Sequence, residues 1–403
     1  MIRDSRWEIK VVNLYILIAL TLFVVDLATN GEMLSVSFLK AVGYSTKTFI
    51  GILIFGVGLK LLLIKPFPIQ LKVALFAYLL MLSAWLLTWF ANWNGKELFT
   101  LIVNPSFSFF TWSLIFIIPI FAQPYGAQVF LSLKRIRLVI PLFIIGIAYV
   151  VWASFGIHLF MPTAGVFLIF IVSCHSPKNY KDIYFSAIAL LSLSLIMIST
   201  GYRIYALASL VLLVLILGQK FTQKTLIKPF VLILFAIPFI YHFGVLYYLE
   251  YLTLIDADLF VDTRTFLFIE IFNDLSIREM LFGKGLLGTY FSEYFYNTVN
   301  QYGGDHFIRS GSEIGWLNLV LKFGLLGLIL HLFLILYPLL KYSMSTKNER
   351  TLFNDQLATF SLVMLFVFVA ELPAAINFGY FIWYAVTGVL WRIVNISTND
   401  AGG

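Results

Sequence analysis

The sequence predicts an all-α polytopic membrane protein with about twelve transmembrane helices and one large loop on the outer side. Three observations carry that prediction. Only 12% of the 403 residues are charged, while 61% are hydrophobic; an ordinary soluble domain is about 25% charged. Apolar runs recur along nearly the whole chain, most of them in the range of roughly 17–25 residues that crosses ~30 Å of hydrocarbon. The Lys and Arg residues gather between alternate runs, as the positive-inside bias requires. The net charge of +7 is no nucleic-acid footprint, because the bases lie in short scattered clusters and do not form one basic face. The single Cys174 excludes an internal disulfide and a thiol metal cluster.

The first run, Val11–Thr29, follows Arg3, Arg6 and Lys10 and lacks a small-x-small cleavage site, so it reads as a span and not as a cleavable signal. Further spans fall at 48–64, 71–92, 103–122, 138–155, 160–174, 183–200, 204–218, 229–248, 314–337, 356–374 and 378–394. With both termini cytoplasmic, 18 of the 27 bases lie inside, from Arg3 to Arg392, and every inner segment holds at least one. Lys40, Lys47, Lys96, Arg203, Arg264, Arg278, Lys284 and Arg309 fall outside, and Lys322 lies within the tenth span. The chain thus divides into nine spans over 1–248, a loop over 249–312, and three spans with a cytoplasmic tail over 313–403.

That loop is net acidic and strongly aromatic, which argues for function and against disorder. Its stretch RTFLFIEIFNDLSIREMLF, Arg264–Phe282, has apolar residues at helical spacing and reads as one interfacial helix. The following GKGLLG, Gly283–Gly288, matches a dinucleotide fingerprint only formally, because it lacks the flanking strand and helix. It reads as a glycine turn that redirects the chain. Asp256 and Asp258 could share a hard cation, but they also suit a solvated loop start. His158, His175, His242 and His331 lie in or at spans and read as packing residues. His306 differs: it sits beside Asp305 and is followed by Arg309, Ser310, Ser312 and Glu313. An imidazole beside a carboxylate is what a general base needs. Lys322 needs a partner inside its span; Glu313 and Glu371 are candidates.

Three features carry a resemblance: Ser199-Thr200-Gly201-Tyr202-Arg203 at the outer end of a hairpin, Arg264 followed by LFGKGLLGTY, and the polar loop end with His306 running into SEIGWLNLVLKFGLLGLI. In these the chain, from about Ile183 to Leu340, resembles the O-antigen polymerase and ligase superfamily of bacterial envelope glycosyltransferases. The ligases follow the loop histidine with Asn, whereas Phe307 follows His306 here, which points to a polymerase. The resemblance implies a membrane-embedded glycosyltransferase (GT-C-like) fold in the bacterial inner membrane, acting on the periplasmic face without metal or soluble cofactor. It implies undecaprenyl diphosphate-linked oligosaccharide repeat units as substrates, and a chain-length regulator as a partner.

A leaving lipid diphosphate gathers charge on phosphate oxygens, which guanidinium groups match in pairs. Arg203 and Arg264 are the expected diphosphate ligands, with Arg278 and Arg309 as helpers. His306 is the expected general base, with Asp305 and Glu313 in reserve. A ligase handing the polymer to lipid A core is the nearest alternative. A flippase or transporter would show internal repeats and charges through the bundle centre; the sequence has no such repeat, and its polar residues crowd one outer face.

Overall fold

The computed structural model describes residues 5–29, 37–91, 109–133, 143–147, 149–150, 161–174, 180–199, 202–217, 270–293, 296, 308–309, 311, 315–344, 352–370 and 377–400. They are almost entirely helical. The long elements are α1 (Ser5–Thr29), α2 (Ser37–Ile64) and α3 (Ile69–Ala91). A broken segment follows, with α4 (Phe109–Trp112), a 3-10 turn (Ser113–Phe116), α5 (Ile117–Phe121) and α6 (Gly126–Leu133). Next come α7 (Met161–Cys174), α8 (Tyr180–Ser199) and α9 (Arg203–Leu217), then the short α10 (Ile277–Phe282). The chain closes with α11 (Gly315–Met344), α12 (Leu352–Ala370) and α13 (Phe378–Asp400). Two strands, β1 (Tyr290–Phe291) and β2 (Ile308–Arg309), pair antiparallel with Tyr290 opposite Arg309.

Among the described residues three helices are long and apolar enough to cross a membrane, Ala41–Ile64, Ile69–Leu87 and Gly315–Met344; the bent pair after Phe109 makes a fourth if it is one span. Exposed side chains support the membrane reading. On α8 Tyr184, Ile188, Leu191, Leu195 and Ile198 face outward at helical spacing, while Ala189, Leu190, Leu193 and Met197 are buried. An outward apolar stripe of this kind is a lipid-facing surface. Shorter apolar helices accompany them over Pro162–Cys174, Ile183–Ser199, Ile204–Leu217 and Phe353–Phe368; the predicted ninth span, 229–248, lies outside the described residues.

The predicted fourth span, 103–122, ends at a sharp reversal: the helix axis turns by 98° between Phe109–Phe121 and Gly126–Ser132. Pro124 lacks a backbone donor and disfavours helix at Gln123, and Gly126 donates to the Gln123 carbonyl at 3.0 Å to close the turn. A Cβ on Gly126 would lie 2.0 Å from the Phe121 carbonyl oxygen, so only glycine lets the chain fold back here.

Helix α13 packs on α1, α5, α11 and α12 and buries Phe381, Trp383 and Trp391. Its start is pinned by an ion pair inside the bundle. Lys47 of α2 donates to Asp26 of α1 at 2.7 Å, with side-chain exposures of 0% and 1%. The other Asp26 oxygen accepts from the Thr163 hydroxyl of α7 at 2.5 Å and from the backbone N–H of Phe378 at 3.3 Å. Asn377 caps the same helix, accepting from the Tyr380 N–H at 2.8 Å. Charge sidedness alone assigned Lys47 to the outer surface. It is buried because a carboxylate 21 residues earlier meets it. His331 is a packing residue, as expected: its ring stacks on Phe368 at 5.3 Å, and its Nε2 lies 3.2 Å from the Tyr384 hydroxyl.

Candidate functional site

The glycine turn at 283–288 is built into the head of α11. At Gly324, φ +68° and ψ −172° break the helix from within. A residue in that conformation cannot continue the i→i−4 ladder, so the carbonyls just ahead need other donors. Two amides of the glycine turn supply them: Lys284 N–H donates to Leu321 O at 2.8 Å and Gly285 N–H to Lys322 O at 3.0 Å. The turn and the break are therefore complementary halves of one structure.

Glycine is required on both sides of this contact. Gly283 and Gly285 have φ of +78° and +87°, where a Cβ is disfavoured. A Cβ on Gly283 would sit 2.3 Å from the Lys322 carbonyl carbon and oxygen, and one on Gly324 would sit 2.2 Å from those of Leu281. Backbone meets backbone at van der Waals distance.

Lys322 locks the pair. Its buried ammonium donates to the Gly288 carbonyl at 2.6 Å, reaching a group 34 residues earlier, and neither Glu313 nor Glu371 is among the described residues. Lys284 turns the other way, donating to Asp274 at 2.5 Å and to the Thr289 carbonyl at 3.3 Å. Beneath the turn Ile271, Leu275, Tyr290, Leu317, Val320 and Leu321 form a separate apolar cluster.

The predicted interfacial helix is interrupted. Residues 270–274 are helical, Leu275 and Ser276 are not, and α10 restarts at Ile277. Ser276 is the reason: its hydroxyl accepts from the Glu279 N–H at 3.3 Å, and the Glu279 carboxylate accepts from the Ser276 N–H at 2.9 Å. This reciprocal capping box starts a new helix. The Ser276 N–H, and then its hydroxyl, hold the Glu279 carboxyl below its ordinary range. Past the turn, Ser292 donates to Glu270 at 2.6 Å.

Of the predicted site residues, Arg309 lies in β2 opposite the buried Tyr290, half-buried against the dock. Arg278 is on α10 and exposed. Arg203 is the first residue of α9. His306, Asp305, Glu313 and Arg264 lie outside the described residues, as do Asp256 and Asp258. The structure thus joins Arg309 to the glycine turn through the β1–β2 pair. It also adds Lys322, Gly324 and Ser276–Glu279, which the sequence reading did not assign to this region's architecture. The last had a readable signal, Ser-x-x-Glu before apolar residues. Among the described residues no three His, Cys, Asp or Glu side chains group to hold a metal.

Comparison with protein families, with curated proteins and with solved structures finds no match to this chain.

Proposed function

We propose that the chain is an O-antigen polymerase, joining undecaprenyl diphosphate-linked repeat units on the periplasmic face of the bacterial inner membrane. An acceptor hydroxyl oxygen bonds to the anomeric carbon of the donor glycan, and the bond from that carbon to the lipid diphosphate breaks. The hydroxyl proton passes to His306, with Asp305 or Glu313 as the reserve base, and undecaprenyl diphosphate leaves. Arg203 and Arg264, helped by Arg278 and Arg309, offset the charge that grows on the diphosphate.

The observation that supports this reading best is the dock of the glycine turn on broken α11. It anchors the described part of this segment: β2, carrying Arg309, is paired to the strand that leaves the turn. Preorganised cations act more strongly than mobile ones, because no reorganisation is needed as charge develops. Arg203 adds a second argument. It opens α9, where the helix dipole is also positive, and a cation there suits a site that receives an anion.

The test is complementation of a polymerase-null strain that makes the matching repeat unit, read as a lipopolysaccharide ladder with expression checked by blot. The proposal expects wild type to restore the ladder, and Arg203→Ala, Arg264→Ala or His306→Ala to leave a band of core plus one unit. Wild type that leaves bare core, without any unit, would overturn it.

A further inference from the structure

We propose that a cavity at the far end of the bundle from the glycine turn binds the phosphate headgroup of an anionic phospholipid. The cavity holds about 370 Å³, within the roughly 300–1,000 Å³ of small-molecule sites. It lies where two chain reversals meet the side of α13. Lys65 and Phe67 come from the turn between α2 and α3, Gln123 from the 98° bend, and Trp391, Arg392 and Asn395 from α13. Leu71 lines it, while Trp85 on the same helix touches Gly285. Those 14 residues separate the two sites by about 21 Å along α3.

The lining chemistry selects an anion. Two cationic side chains, Lys65 and Arg392, line the space, with no carboxylate among the described lining residues; the Gln123 and Asn395 amides, also in the lining, donate to the Pro119 and Trp391 carbonyls. Arg392 is held in place by donating to the Gln123 carbonyl at 3.2 Å, and a guanidinium fork carries five donors suited to phosphate oxygens. The apolar wall is equally fixed. Trp391 donates through Nε1 to the Leu334 carbonyl at 2.7 Å and stacks on Tyr337 at 4.8 Å. Lys341 lies 5.9 Å from that tyrosine's ring, adding positive charge nearby.

The surroundings select a lipid over a free anion. Leu63, Ile64, Ile69 and Val73 flank the lining residues Lys65 to Leu71 in sequence and are all exposed. A polar pocket whose rim continues into lipid-facing aliphatic side chains fits an amphiphile, with its headgroup held inside and its acyl chains along α2 and α3. Basic pockets between membrane helices on the inner side bind anionic headgroups in this way, and the charge bias of the chain puts Lys65 and Arg392 on the inner side.

The experiment offers equal phosphatidylglycerol and phosphatidylethanolamine to the full chain in neutral detergent and counts retained lipid by native mass spectrometry. Phosphatidylglycerol should be preferred by roughly 30-fold, about fivefold for each of two bases near a headgroup. Lys65→Gln with Arg392→Gln should abolish the preference, and Lys65→Gln alone, at an exposed position outside any helix, should reduce it about fivefold. Tryptophan-monitored melting confirms that each variant is folded. Equal retention of the two lipids by wild type, or an unchanged preference in the folded double variant, overturns the proposal. So does millimolar inorganic phosphate that raises the melting temperature where phosphatidylglycerol does not, since the site would then take a soluble anion.

Discussion

Replacing Gly283 by Ala is the sharpest probe of the dock. The new Cβ would lie 2.3 Å from the Lys322 carbonyl and 2.4 Å from the Phe323 nitrogen. Those are backbone atoms, so no side-chain rotation relieves the clash; the turn must lift off α11. Lifting breaks the Lys284→Leu321 and Gly285→Lys322 hydrogen bonds, each contributing about 1 kcal/mol net. Forcing alanine into φ near +78° costs about 1–2 kcal/mol more. The sum is about 3–4 kcal/mol, which lowers the melting temperature of a chain this long by roughly 4–5 °C. Gly56→Ala is the control: it is a helical glycine with nothing within 4 Å of its added Cβ, and alanine there is favoured by about 0.5–1 kcal/mol. The assay is thermal unfolding of detergent-purified protein by tryptophan fluorescence, with amide exchange followed across 283–289. Trp85, whose ring faces Gly285, should change its emission when the turn lifts. If Gly283→Ala melts and exchanges like Gly56→Ala, the account of the dock is wrong.

Three further substitutions test other buried or capping contacts. Lys322→Met removes a charged donor from the Gly288 carbonyl and should destabilise by about 1.5–3 kcal/mol, with faster amide exchange across the turn as the specific readout. Asp26→Asn or Lys47→Met alone should cost about 3–5 kcal/mol by stranding a buried charge, while the pair together recovers a large part; a double-mutant cycle of melting temperatures measures this. Glu279 sets a pH dependence. Its folded-state pKa lies below the ordinary 4.5, so its capping stabilisation is complete above the unfolded value and is lost as pH falls through the folded one. Exchange of the α10 amides, taken relative to Glu279→Gln at each pH, should therefore be slowed at pH 6 and approach the variant as pH falls below the ordinary 4.5; a constant ratio would refute the capping role.

The helical membrane class was legible because hydropathy over ~20 residues is a property of the segment, independent of its partners. GKGLLG was readable as a turn for a similar reason, since glycine spacing reports local backbone freedom. What escaped depends on partners distant in sequence. Gly324 sits in an apolar run that any window scores as one helix, and its break exists because Leu321 and Lys322 carbonyls find donors 37 residues earlier at Lys284 and Gly285. Lys47 looked like a surface charge because sidedness counts ignore the carboxylate that neutralises it. The 98° bend had local punctuation in Pro124 and Gly126, but a glycine or proline within an apolar stretch does not say how far the chain turns. Of the predicted site, Arg309 gains a definite place, on a strand paired beside the turn.

The most direct measurement supplies the purified protein, reconstituted in liposomes, with one undecaprenyl diphosphate-linked repeat unit and neither nucleotide nor divalent metal. The account predicts lipid-linked products of two, three and more units, with one undecaprenyl diphosphate released per bond formed, and their loss in His306→Ala. Folded wild type that leaves a matched repeat unit unchanged would contradict it.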